Sequence, residues 1–164
     1  MTDTPWLDDA QRLAWVRFAA VLELLPRSLD AQLERDEQLS HFDYYCLAML
    51  SEAPRRTLRM TALAGMTNAT LPRLSRVMNR LEEASYVRRE PCPADRRATN
   101  VVLTGAGWDK VVGAAPGHVR HVRELVIDAL EPEQVAQLSA ISAQLLAVLD
   151  PDQKMMASVL HPSP

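Results

Sequence analysis

Glycine, cysteine and long apolar runs are the scarce elements of this 164-residue chain, and each scarcity removes a class of function. The five glycines are spread too thinly to build a Gly-rich phosphate loop, and no Gly-x-Ser-x-Gly elbow occurs. No pair of histidines or carboxylates stands at catalytic spacing, so the chain reads as a non-enzyme that calls for no cofactor. Its two cysteines, Cys46 and Cys92, lie far apart without C-x-x-C spacing. That argues against a disulfide framework or a zinc ribbon and for two reduced thiols. No run of about 18 apolar residues is found, nor a cationic-then-apolar leader, so neither a membrane span nor a signal peptide is expected. A soluble, cytoplasmic protein with no membrane partner is the expectation.

Lysine is nearly missing too: sixteen of the eighteen cationic residues are arginine. Arginine suits bidentate contacts to phosphate and to guanine edges better than the point charge of lysine. The formal net charge of −3 would not by itself suggest a nucleic-acid partner, but the charge is segregated. Between Arg55 and Arg97 ten arginines face Glu82, Glu83, Glu90 and Asp95, a balance of +10 − 4 = +6 that leaves −9 for the rest. A basic block of this kind can meet phosphates while the acidic remainder discourages indiscriminate sticking.

Hydrophobic periodicity predicts a mainly α protein with a small β-hairpin. Leu13, Val16, Ala20/Val21, Leu24/Leu25 and Leu29 predict a long first helix from Trp6 to about Arg35, kinked or broken near Leu25 by Pro26. Ser40 is placed to cap a second helix with Phe42, Tyr45, Cys46, Met49 and Leu50 as its apolar stripe, stopped by Pro54. A short helix follows, with Thr61 as cap, Leu63/Ala64 pointing inward and Gly65 as its end. The turn Gly65–Asn68 then leads to a helix capped by Asn68 or Thr70, with Pro72 in its first turn. That helix has two stripes. Leu74, Val77/Met78 and Leu81 face a core, while Arg73, Arg76 and Arg80 recur at i, i+3, i+7 on the other side, with Thr70 at the tip.

From Tyr86 the period changes to two. Segments 86–90 and 99–103 read as strands around the tip Pro91–Arg97, a wing. Thr104-Gly105 opens a further helix, expected to break or bend at Pro116-Gly117, and a last helix starts around Glu131-Pro132 and runs to Asp150. Helix, turn, arginine-striped helix and basic hairpin make a winged helix-turn-helix.

With these features the chain resembles the MarR family of bacterial transcriptional regulators over roughly Trp6 to Asp150. The matching residues are Leu63-Ala64 before the turn, Arg76-Val77-Met78-Asn79-Arg80-Leu81-Glu82 in the recognition helix, Tyr86-Val87 entering the wing, and Asp95-Arg96-Arg97 through Leu103-Thr104. The last is the most specific, since the family's wing motif is Asp-x-Arg followed by a strand and Leu-Thr. The resemblance implies that Arg97 reaches into the minor groove while Asp95 orients its guanidinium. It also implies a homodimer formed through the N- and C-terminal helices, repression as the default outcome, and DNA affinity modulated by a small-molecule effector.

The residues themselves support compatible roles. A major groove about 12 Å wide admits the helix carrying Arg73 and Arg76, with Arg80 on the same stripe, and Asn68 or Thr70 near its N-terminus can meet phosphate or base. Arg96 and Arg97 at the wing tip suit a narrow minor groove. Single arginines can equally be surface ion pairs, as Arg80 with Glu83 or Arg88 with Glu90. The terminal helices are more apolar than one small core can absorb, which favours a dimer and a pseudo-palindromic operator with half-sites roughly 10 bp apart. An effector cleft between lobes would use Trp15, His41, Tyr44 and Tyr45. His118 and His121 could join His41 around a metal, but neighbouring Arg120 and Arg123 discourage one, and no metal site is expected. Cys92 oxidation in the wing is a further route to regulation. The alternatives to an effector-modulated regulator are a winged-helix protein-interaction module without DNA binding and a metal- or thiol-responsive regulator. The domain division is 1–36 for the N-terminal dimerisation helix, 37–104 for the DNA-binding lobe, 105–150 for the C-terminal dimerisation helices, and 151–164 for a tail expected to be disordered.

Overall fold

The computed structural model describes residues 4–155, so most of the 151–164 tail lies outside the described residues. Helix α1, Asp9–Glu37, begins with a capping box: Asp8 accepts from the Gln11 amide at 2.8 Å, and the Gln11 side chain accepts from the Asp8 amide at 3.1 Å. Helix α2, His41–Glu52, begins the same way with Ser40 and Asp43. A single 3-10 turn, Pro54–Arg56, leads into strand β1, Thr57–Arg59, and helix α3, Met60–Met66. Helix α4, Leu71–Glu83, precedes the hairpin of β2, Val87–Cys92, and β3, Asp95–Leu103. Helix α5, Gly105–Val122, passes through a π-helical turn, Arg123–Ile127, before α6, Pro132–Leu149. Among the described residues no helix is long and apolar enough to cross a membrane.

Several local expectations change. Pro26 does not end α1, which runs on for 29 residues, and Pro116 does not end α5. Each proline frees the carbonyl four residues earlier, at Leu22 and Val112. Both of those residues are exposed, where water can take up the freed acceptor. The helix α3 starts one residue before Thr61, on Arg59 without a side-chain cap, and Gly65 lies inside it. The turn to α4 is displaced accordingly. Thr67 closes α3, and Asn68 takes the left-handed conformation at φ 48°, which asparagine tolerates well. Thr70 alone caps α4, accepting from the Arg73 amide at 3.4 Å.

Strand β1 is absent from the periodicity argument because three residues are too few to show a period. It is held by pairing: Leu58 lies opposite Val101 in a three-stranded antiparallel sheet of order β1-β3-β2. The wing strands are also longer than expected. They run to Cys92 and from Asp95, with a register shift at Pro91/Cys92 that lets the pairing continue past Pro91.

The core joins α2, α3, α4, the sheet and the start of α5. Its fully buried side chains include Leu47, Leu50, Leu63, Leu74, Met78 and Val101, and Leu33 near the end of α1 closes it. On α2 the buried stripe includes Tyr44 and Leu47, while Phe42 and Tyr45 are only half-buried. The junction between wing and α5 explains the Leu103-Thr104 motif. Leu103 is buried, and the Thr104 hydroxyl donates to the Ser85 carbonyl at 2.7 Å while accepting from the Gly107 amide at 3.0 Å. A Cβ on Gly107 would stand 2.1 Å from the Tyr86 carbonyl oxygen, so the approach of α5 to the wing requires glycine there.

Candidate nucleic-acid interface

Helix α4 has the two faces its sequence predicts. Leu74, Val77, Met78 and Leu81 are buried, and Arg73, Arg76, Asn79 and Arg80 are exposed. Asn68 and Thr70 are exposed at the N-terminal end of the helix, where free backbone N–H groups favour an anion.

The arginines differ in what already holds them. The Arg73 guanidinium lies over the Phe42 ring, 4.2 Å from its centroid, a cation–π contact that holds the head of the side chain against α2. Arg80 departs from the expected partner: its guanidinium bridges to Asp43 of α2, not Glu83. Asp43 is 4 % exposed and also accepts from the Ser40 amide at 3.1 Å, so Arg80 is tied to the lobe by a buried carboxylate. Such a carboxylate left without its cation would be costly, which gives Arg80 a structural duty whatever else it meets. Arg88 pairs with Glu90 at 3.3 Å. Arg76 has no ion-pair partner within 4 Å among the described residues.

At the wing tip, Cys92 pairs across from Asp95 around Pro93-Ala94. The Asp95 carboxylate accepts from the main-chain N–H of Arg97 at 3.0 Å. Among the described residues it makes no bridge to the Arg97 guanidinium, so its observed role is to order the backbone of the turn. Arg97 itself is exposed. Arg96 belongs to β3, and its side chain lies outside the described ones. Cys92 is buried in the hairpin, and amide hydrogen bonds from Ala94 and then Asp95, with nearby Arg59, pull its thiol below the usual range. Burial pushes Cys46 up to about 12, an inert core thiol.

Of the cleft residues, His41, Tyr44 and Tyr45 come together, but Trp15 does not. It sits 56 % exposed on the first half of α1. His118 of α5 takes the fourth place, its ring 4.7 Å from Tyr44 and 5.8 Å from His41 between centroids. Burial lowers the pKa of both histidines, and His41 and His121 lower that of His118 further. His121 is held by Ser28 of α1 at 3.1 Å. Among the described residues no group of three or more His, Cys, Asp or Glu is arranged to hold a metal ion.

Two roles escaped the sequence reading: Asp43 as the anchor of Arg80, and Arg89 as a link between wing and helix. Asp43 stands at the third position of a capping box and could have been singled out on that ground. Arg89 carries no comparable sequence signal.

Comparison with known proteins agrees with this architecture. The model of the MarR family matches residues 39–98, the lobe from Leu39 to the wing. Sco3205 from Streptomyces coelicolor, a MarR family transcriptional regulator solved in complex with DNA, is 41 % identical, with 92 % of this chain and 97 % of that one covered at a TM-score of 0.86. AbsC, a MarR family transcriptional regulator from the same organism, is 36 % identical over 90 % of this chain and 99 % of that one, at 0.85. The MepR–DNA complex of S. aureus shares the fold at 20 % identity, covering 82 % and 96 % of the two chains, at 0.72. Identity of this extent over nearly the whole length places the chain in the MarR family of transcriptional regulators.

Proposed function

We propose that the protein is a sequence-specific, double-stranded DNA-binding regulator acting as a homodimer. The observation that carries this is the pairing of an exposed Arg73/Arg76 face on α4 with an exposed Arg97 at the wing tip, on a lobe whose formal charge is +6 from 55 to 97. In this reading α4 enters the major groove, where Arg73 and Arg76 fork onto base edges, and Asn68 and Thr70 meet phosphate beside the helix N-terminus. Arg97, with Arg96, enters the minor groove. Arg80 holds α4 to α2 at the edge of this face.

The dimer follows from what the terminal helices leave uncovered. Trp15, Phe18 and Leu22 on α1 and Ile141, Leu145 and Val148 on α6 are all exposed, and α6 has no buried residue at all. Helices with apolar faces of this extent need a partner, and a second copy supplies the same faces by two-fold symmetry. Residues 1–36 and 105–150 then serve as dimerisation helices around two 37–104 lobes, and the dimer binds a pseudo-palindromic operator in the cytoplasm. Occupation of a promoter by such a dimer blocks polymerase, so repression is the expected outcome. The His41/Tyr44/Tyr45/His118 cluster, between α2 and α5, is a place where a small molecule would alter the relation of lobe to dimer helices.

Anisotropy titration against the DNA upstream of the protein's own gene and against scrambled duplex, over a salt series, tests the reading. Preferential, saturable, salt-sensitive binding is expected, with Arg97→Ala weakening it by roughly tenfold or more. Equal weak binding to both duplexes would favour a protein-interaction module instead.

A further inference from the structure

Arg89 lies on β2, in register with Val101 of β3, yet its side chain leaves the sheet and spans to the recognition helix. Its Nη2 donates to the Ser75 carbonyl at 3.1 Å and to Asn79 Oδ1. Its main-chain N–H donates to Glu82 Oε1 at 2.8 Å, and the other oxygen of that carboxylate stands 3.9 Å from its Nε. Ser75, Asn79 and Glu82 follow one another at i, i+4, i+7, so a single ridge of α4 receives the whole residue. The guanidinium is only about a quarter exposed, at 27 %, and Nε is buried without a hydrogen-bond partner. A cation placed to meet phosphate would keep its donors toward solvent. This one turns Nη2 onto the helix and buries Nε.

We propose that Arg89 is a positioning residue that fixes the wing against the recognition helix, so that Arg97 and the Arg73/Arg76 face can enter adjacent grooves of one duplex together. The inference rests on the DNA-binding reading above. The hairpin otherwise reaches α4 through buried Val87 and the backbone turn at Ser85, both at the base of the wing. Arg89 adds a polar strut higher up, in which the single Nη2 at the end of a long side chain bridges two acceptors of α4. Wing and helix thereby become one rigid reading head.

The test uses a duplex enriched from a random pool by the full-length wild-type protein, and a double-mutant cycle between Arg89→Met and Arg97→Ala. If Arg89 acts through the wing, Arg89→Met weakens binding about tenfold alone, the loss of one well-placed guanidinium contact, and less than twofold when Arg97 is already alanine. Arg89→Lys, which keeps the charge but ends short of the Nη2 position, behaves like Arg89→Met. Glu82→Ala, which removes the carboxylate that receives the Arg89 main-chain N–H, weakens binding in the same direction although it removes a negative charge, and guards against an Arg89 variant that fails to fold. Losses that multiply in the double variant, or wild-type binding by Arg89→Lys, overturn the proposal and make Arg89 a direct phosphate contact. A wild-type protein that enriches no sequence overturns the DNA-binding reading itself, before any variant is made.

Discussion

The lobe spanning α2 to β3 and the terminal helices follow opposite rules. In the lobe nearly every element has a buried face and a satisfied end: Ser40 and Thr70 cap their helices, the sheet is paired through its centre, and Leu50, Leu63, Leu74 and Val101 are fully buried. Helix α6 and the first two turns of α1 bury nothing, although they carry Trp15, Ile141 and Leu145. The lobe is a finished object, while the helices are half of one. Apolar area costs free energy in water at roughly 25 cal/mol per Å², and this difference is what supports the proposed dimer.

The largest effect should come from attacking the unfinished half. Ile141→Glu together with Leu145→Glu should convert a dimer to monomer in sedimentation equilibrium and lower operator affinity on the order of 10²-fold, through lost bivalency. The lobe's contribution to the thermal transition should survive. A double variant that stays dimeric and binds normally would erase the contrast.

The junction where α5 joins the finished half should be sensitive to packing instead. Gly107→Ala forces a methyl against the Tyr86 carbonyl and should destabilise the fold by about 1–3 kcal/mol, read as a lower denaturant midpoint with the dimer intact. Gly113→Ala, with open space at its Cβ, is the matched control and should be neutral or slightly stabilising.

The smallest effect sharpens the boundary between the two halves. His41 and His118 are half-buried where α2 meets α5, and both have depressed folded-state pKa values. The unfolded chain therefore binds protons that the folded one refuses, so stability rises with pH through this window. The contribution is complete above the unfolded value near 6.5 and is lost as pH falls below it toward the folded values. His118→Gln should flatten the fall in unfolding midpoint between pH 7 and 5; an unchanged slope would mean the pair does not govern the junction.

The two halves also differed in how far the sequence could be read. The i, i+3, i+7 stripes of α4, the Thr104 cap and the Glu131-Pro132 start of α6 were readable because periodicity and capping are local. Strand β1 was not, since pairing with β3 rather than any pattern within Thr57–Arg59 holds it. At Pro26 and Pro116 the helices run on without a break, because the freed carbonyls belong to exposed Leu22 and Val112, and exposure is set by the fold rather than by any window of sequence. In the site, Arg76 and Arg97 stand exposed as expected. Arg80 and the Asp95 carboxylate found partners 37 and 2 residues away that charge counting could not choose between. Trp15 lies apart from His41 within one chain, and His118, far from His41 in sequence, meets it through the packing of α5 on α2.

The division of charge between the halves has a kinetic meaning. A body with +6 gathered on its reading head and −9 distributed over the remainder is a dipole as well as a weak anion. On the proposed reading such a body turns near a polyanion before it touches, with the 55–97 segment toward the DNA. Fewer encounters are wasted on the wrong face, and the gain shrinks as salt shortens the reach of the field to about 8 Å at physiological ionic strength.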